Sequence, residues 1–304
     1  MYRAISLIFL AMFSAAASAQ GTSDTPPLRV VASFTILADW VRIVGGDQVA
    51  VHTLVGPDAD AHVYEPTPAD LKLVAQANVI VLNGLGFEGW MDRLAQAAQF
   101  RGRTIQATSG VVPRHAGRSI DPHAWQDLRN ARTYVLNIAT GLAAARPANA
   151  SSFATRATSY LRQIDDLEAD CRREFAAIPR ERRVVVTSHD AFGYLADAYG
   201  LTLLPAQGLS TEMEPNASAI GELIRQIRTH RVQAVFVENI RDPRFTERIA
   251  AEGGVVVGGR LYSDALGAAG SPADNFLAMY RHNVNTLVSA LRRSANRPAP
   301  GVRP

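Results

Sequence analysis

The sequence predicts an α/β protein of two lobes, each with a mainly parallel sheet, joined by one long helix. Three observations predict it. Short apolar β-type runs alternate with helix-period segments in the first part of the chain and again in the last part. Between these regions, from Gln126 to about Pro179, no strand signal occurs. Within that gap, the segment from about Ala150 to Ala177 contains no proline or glycine and is longer than most globular helices.

The elements follow in order. Residues 20–27 are polar with paired prolines, a leader into the fold. Leu28–Ser33 reads as a strand, and a helix through Ile36, Leu37, Trp40 and Ile43 stops at Gly45-Gly46. Val49–Val55 is a second strand, closed by the turn Gly56-Pro57-Asp58. Thr67-Pro68 starts a helix, with a capping hydroxyl and proline at the first helical position. A strand at Asn78–Asn83, a helix from about Trp90 to Ala97 and a strand near Thr104–Ala107 complete the first alternation. A helix over roughly Leu128–Ala145 stops near Pro147 and precedes the long one. Strands are then expected at Arg183–Ser188, Leu201–Pro205, Gln233–Glu238 and Gly254–Val257. The helices between and after them span Ala191–Tyr199, Ala217–His230, Arg244–Ala251 and about Ala273–Arg293. The resulting division is a signal peptide over residues 1–19, an N-terminal lobe over 28–147, a linking helix over 148–178, a C-terminal lobe over 179–296 and a disordered tail over 297–304.

Composition excludes several classes. At 304 residues and 47% hydrophobic, the chain can bury a substantial core. A formal charge of +3, with acids interspersed among the arginines and Lys72 the only lysine, does not indicate nucleic acid. Arg3, the apolar run Ile5–Phe13 and the small-residue site Ala17-Ser18-Ala19 form a secretory signal, too short in its apolar part to anchor in a bilayer. No cysteine stands at the cleavage point, so a periplasmic location without a lipid anchor is expected. The single Cys171 cannot form an internal disulfide and reads as a buried helix residue.

The chemistry-bearing residues are His62, His123, His189 and Asp264, each near a strand end or in the loop before a helix. In open α/β sheets, ligands collect beyond the carboxyl ends of the strands, so these four can converge between the lobes. Three imidazoles and one carboxylate suffice for a tetrahedral shell around a transition metal. The remaining histidines, His52, His115, His230 and His282, read as polar surface, with His115 in an arginine-bearing loop at the cleft edge as a candidate weak capture group. Glu65, Asp190 and Glu238 are candidates to orient the imidazoles, although Asp190 can equally cap the helix after it.

The segments His62-Val63-Tyr64-Glu65-Pro66-Thr67-Pro68, Asp121-Pro122-His123-Ala124-Trp125, Ser188-His189-Asp190-Ala191-Phe192-Gly193-Tyr194 and Tyr262-Ser263-Asp264 resemble the ligand-bearing motifs of one family. It is the metal-binding (cluster A-I) solute-binding proteins of ABC transporters for zinc and manganese. The likeness covers the mature chain and includes Gly208-Leu209-Ser210-Thr211-Glu212 and Phe236-Val237-Glu238. It implies a rigid bridging helix, a metal site in the cleft, a membrane permease as partner and transport in place of catalysis. Manganese members generally carry a carboxylate where this chain has His189, so the nitrogen-rich set favours one zinc ion per chain. The chain departs from many zinc members in lacking a histidine- and acid-rich tract between the first two ligands, which leaves open how zinc is captured or whether a metallochaperone delivers it. A monomer is expected. The alternatives are a manganese or iron carrier of the same family, a secreted zinc metallohydrolase, and a secreted adhesin or structural protein that holds metal incidentally. The hydrolase would need an open position for water, which Asp264 in the shell removes.

Overall fold

The computed structural model describes residues 25–213, 216–230 and 232–293. The expected signal peptide and the tail from residue 297 lie outside them.

The first sheet is built from β1 (Leu28–Phe34), β2 (Val49–Val55), β3 (Val79–Leu82) and β4 (Arg103–Gln106), with α1 (Thr35–Gly45), α2 (Pro68–Gln76) and α3 (Met91–Ala97) between them. Its four strands are parallel, in the order β2-β1-β3-β4. Strand β1 is buried at all positions but Arg29, the continuous apolar run of a strand covered on both faces. At the start of α2, Thr67 and Asp70 form a reciprocal capping box with Pro68 just inside the helix.

A small antiparallel hairpin, β5 (His115–Ala116) with β6 (Ser119–Ile120), follows. The helices α4 (Leu128–Ala145) and α5 (Ala150–Ala176) then fill the strand-free stretch. The second sheet uses β7 (Val184–Thr187), β8 (Thr202–Pro205), β9 (Ala234–Glu238) and β10 (Val257–Leu261), with α6 (Gly193–Tyr199), α7 (Ala217–Thr229) and α8 (Pro243–Gly253) between them and α9 (Phe276–Arg293) last. It is also parallel and, in order of chain position, repeats the first: β8-β7-β9-β10 matches β2-β1-β3-β4. The two lobes therefore share one topology, although no repeat is visible in the sequence.

The 27 residues of α5 bury one stripe, Phe153, Ala157, Tyr160, Ile164, Leu167, Cys171 and Phe175, at helical spacing. This helix packs on α1, α4 and α9. Trp40 of α1 packs edge-on against Tyr134 of α4 and Phe276 of α9, with ring centroids 5.2 Å and 4.6 Å away. The last helix thus returns to the first lobe, and one continuous apolar core runs from Leu28 to Leu291 through both sheets. Such a core resists large lobe rotation, because any opening would expose packed aromatic surface. Among the described residues no helix is long and apolar enough to cross a membrane.

Three expectations need correction. The fourth strand of the second sheet is Val257–Leu261, not Gly254–Val257: Gly254 ends α8 in the left-handed region at φ 71°. A Cβ at Gly258 would lie 2.6 Å from the Phe236 ring, so glycine is what fits where the strand passes β9. His115 lies in the hairpin, not in a loop, because two-residue strands leave no periodicity to read. The last helix starts at Phe276 instead of Ala273, since the Asn275 side chain accepts the Ala278 N–H.

Ile164→Ala, in the buried stripe of α5, should lower stability by about 2–5 kcal/mol in urea unfolding, whereas Arg162→Ala on its exposed face should change it by less than about 0.5 kcal/mol.

Candidate metal centre

Four chain segments meet beyond the carboxyl ends of the two sheets. His62 lies in the β2–α2 loop and His123 after the β5–β6 hairpin, both from the first lobe. His189 follows β7 by two residues, and Asp264 follows β10 by three. Asp264, His123 and His189 are fully buried, and the His62 side chain is 7% exposed. One donor atom from each of the four lies within 4.8 Å of all the others.

The spacings are those of a coordination shell. His62 Nε2 is 3.2 Å from His123 Nε2 and 3.2 Å from Asp264 Oδ2. His189 Nε2 is also 3.2 Å from Asp264 Oδ2, and His123 Nε2 is 3.6 Å from Asp264 Oδ1. A four-coordinate ion with bonds of about 2.0–2.1 Å sets tetrahedral ligand atoms about 3.3 Å apart. Neither oxygen of the buried Asp264 makes a geometrically sound hydrogen bond. A buried carboxylate without hydrogen bonds is costly unless positive charge sits beside it.

The outer faces of two imidazoles are backed by carboxylates. Asp121 Oδ1 lies 2.8 Å from His123 Nδ1 and also accepts the His123 backbone N–H at 3.0 Å. A carboxylate only accepts, so the ring proton sits on Nδ1 and the Nε2 lone pair faces inward. Glu238 Oε2 stands 2.6 Å from His189 Nδ1, an ion-pair contact whose angle falls outside hydrogen-bond geometry. Its other oxygen accepts the His189 backbone N–H at 3.0 Å. Arg114 in turn holds Asp121 at 3.0 Å. Aromatic rings close the wall: Phe87 packs on His62 at 4.9 Å and Trp125 on His123 at 5.3 Å.

The electrostatics follow from these contacts. Burial pushes the His189 imidazole down, but Glu238 and Asp264 together outweigh it and hold its pKa well above the usual histidine value. Burial pushes Asp264 up, yet His189 and His123 pull it well below the carboxylate range. Both shifts favour the charged pair, an imidazolium at His189 beside an ionised Asp264.

The structure thus brings all four sequence-derived candidates together. Of the three proposed orienting acids, only Glu238 contacts an imidazole. Glu65 is exposed and touches no imidazole among the described residues. Asp190 is half-buried and does not cap α6, whose N-cap is Phe192 without a side-chain bond. Burial and the nearby Asp121 raise its carboxyl. Sequence reasoning missed Asp121, although an acid two residues before His123 was the available signal. His115 is exposed on the hairpin, outside the cluster.

Comparison with known proteins matches residues 30–290 to the family model described as "Zinc-uptake complex component A periplasmic". The chain is 34% identical over 287 residues to the zinc-binding protein TroA of Treponema pallidum, covering 91% of this chain and 92% of that one. It is 32% identical over 289 residues to the manganese-binding lipoprotein MntA of Halalkalibacterium halodurans, with 94% and 96% covered. It is 30% identical over 300 residues to the iron ABC transporter substrate-binding lipoprotein MtsA of Streptococcus pyogenes, with 94% and 96% covered. The solved structure of the periplasmic TroA superposes with a TM-score of 0.84 at 31% identity, over 88% of this chain and 99% of that chain.

In metal-free protein the His189 ring should be doubly protonated at pH 7 by imidazole nitrogen NMR, and Glu238→Gln should lower its pKa. Because the folded-state pKa is raised, the His189 contribution to metal-free stability is complete below about pH 6.5 and disappears as pH rises through the folded value. The Asp264 contribution has the opposite sense: it is present above about pH 3.9 and is lost as pH falls through its depressed folded value.

Proposed function

The chain belongs to the zinc-uptake component A family, metal-binding substrate-binding proteins of ABC transporters, and from that premise we propose that its cargo is zinc, captured in the periplasm. As a substrate-binding protein it is not an enzyme, and its working partner is a membrane permease. We assign the cargo shell to His62, His123, His189 and Asp264.

One observation carries the zinc reading: three imidazole nitrogens and one carboxylate converge at separations near a zinc tetrahedron's edge. Nitrogen-rich, four-coordinate surroundings suit Zn²⁺, whereas Mn²⁺ favours more oxygen and a larger shell. The charges also close. Asp264 and Glu238 balance the doubly charged ion, and Arg114 offsets Asp121. Exchange of a His189 proton for the ion limits the change in charge at the shell to one. All four positions being protein atoms, no place remains for a water nucleophile.

A second reading has support in one feature of the site. Both Asp264 oxygens face the imidazoles, at 3.2 Å and 3.6 Å, so a bidentate carboxylate could raise the coordination number for manganese or iron. The names of MntA and MtsA point the same way. Competitive titration of chelator-stripped protein with zinc and manganese separates the two readings. Zinc should bind at one ion per chain and displace manganese; the reverse order would assign the site to manganese.

Zinc affinity should fall as pH drops through the histidine range, because protons occupy the same imidazole nitrogens. Calorimetry in buffers of different ionisation enthalpy should show about one proton released per zinc at neutral pH, the one held by His189. Affinity unchanged at pH 5 would remove the three-histidine shell.

His123→Ala should weaken zinc binding severely, and Asp264→Ala less where water fills the position. In equilibrium titrations His189→Glu should shrink the preference for zinc over manganese; an unchanged ratio would place selectivity elsewhere.

A further inference from the structure

We propose that Asp60 is a positioning residue that latches the His62 loop to the opposite lobe and thereby sets how fast the bound metal leaves. The inference rests on the metal-carrier reading above. It begins from an asymmetry among the four donors. His123 is braced by Asp121 and Trp125, and His189 by Glu238. The Asp264 loop is pinned on both sides: Asn283 brackets the Tyr262 backbone with bonds of 2.9 Å and 2.7 Å, and Trp125 and Gln126 both donate to the Ser263 carbonyl. Among the described residues no second carboxylate besides Asp264 contacts the His62 ring. The His62 side chain is the one donor of the four with solvent exposure, which makes its side of the site the shortest way out.

What holds His62 is its backbone. Asp60 Oδ1 accepts the His62 N–H at 2.9 Å, while Asp60 Oδ2 accepts the Thr211 hydroxyl at 2.6 Å. Thr211 is buried and belongs to the segment after β8, in the second lobe. Arg241, after β9, brings its guanidinium to 4.0 Å from the same carboxylate oxygen. One carboxylate thus ties the loop that carries a metal donor to two loops of the facing lobe. A second tie runs in parallel, as the Asn239 amide donates to Asp58 Oδ1 at 2.9 Å and the Asp58 N–H donates to the Leu266 carbonyl at 3.0 Å. On its own lobe the loop is held at Ala61, whose carbonyl accepts the Trp90 indole N–H at 3.0 Å. Released from Thr211, the segment would swing about that Trp90 anchor and carry the His62 ring away from Asp264. The continuous core keeps the lobes together meanwhile, so a loop is the element free to gate the site.

The test is zinc release from the full zinc-loaded chain, followed by stopped flow into excess chelator. Thr211→Val should speed release about tenfold, the size expected for losing one hydrogen bond to a charged group. Thr211→Ser should restore the wild-type rate, which a purely steric role for the threonine would not allow. In an Asp60→Ala background the Thr211→Val effect should disappear, because the two residues act as one unit. Wild-type release from Thr211→Val, or an undiminished effect on top of Asp60→Ala, would overturn the latch. Should Thr211→Val fail to fold, Asp60→Asn decides, since faster release supports the latch and an unchanged rate overturns it. A wild-type chain that binds no zinc would overturn the zinc reading itself, whereas zinc-binding variants that all release alike would overturn only the latch.

Discussion

A carboxylate buried without hydrogen bonds is the constraint around which this molecule is organised. Asp264 sits at zero exposure with both oxygens facing imidazole nitrogens and no donor aligned to either. An isolated buried charge costs several kcal/mol even after relaxation, and removing its partners strands it. The imidazoles offset that cost in the metal-free protein by holding a proton, and a divalent ion can replace the proton at the same centre. The arrangement therefore explains both the depressed pKa of Asp264 and the raised one of His189. It also explains why acids stand behind His123 and His189: each lies at the ring's Nδ1 and leaves Nε2 as the atom turned inward.

Holding four donors at such spacing from separate loops demands a stiff frame. Two sheets of identical strand order present their carboxyl ends to one another, and the buried stripe of α5 belongs to a core that reaches into both lobes. The fold thereby places the site without a local clip such as paired cysteines. The same stiffness moves the burden of opening from lobes to loops. The His62 loop is tied to the opposite lobe by the polar contacts of Asp60 and Asp58.

Much of this was legible in sequence, and the exceptions have physical causes. The bounds of Val49–Val55 and Leu128–Ala145 were read as found, because nothing interrupts their periodicity. All four clustered residues stood out, since a histidine or aspartate just past a strand end is a position that sheet geometry exposes. The last strand lies further along than expected, across two glycines that carry no β-type side chain; the Phe236 ring pressing on Gly258 shows why glycine is there. Asp190 looked like a helix cap by adjacency, but the helix begins later, at Gly193. Asp121 stood in view beside His123, while Asp60 left no trace at all, because its partner Thr211 lies 151 positions away and is near it only in the fold.

The central claim is that these four side chains are the ligands of one bound ion. X-ray absorption at the zinc edge of the zinc-loaded protein tests it most directly. The expected spectrum has four nitrogen and oxygen scatterers at about 2.0–2.1 Å with the outer-shell signature of three imidazoles. A six-coordinate shell of oxygens, or one without imidazole scattering, would contradict the account.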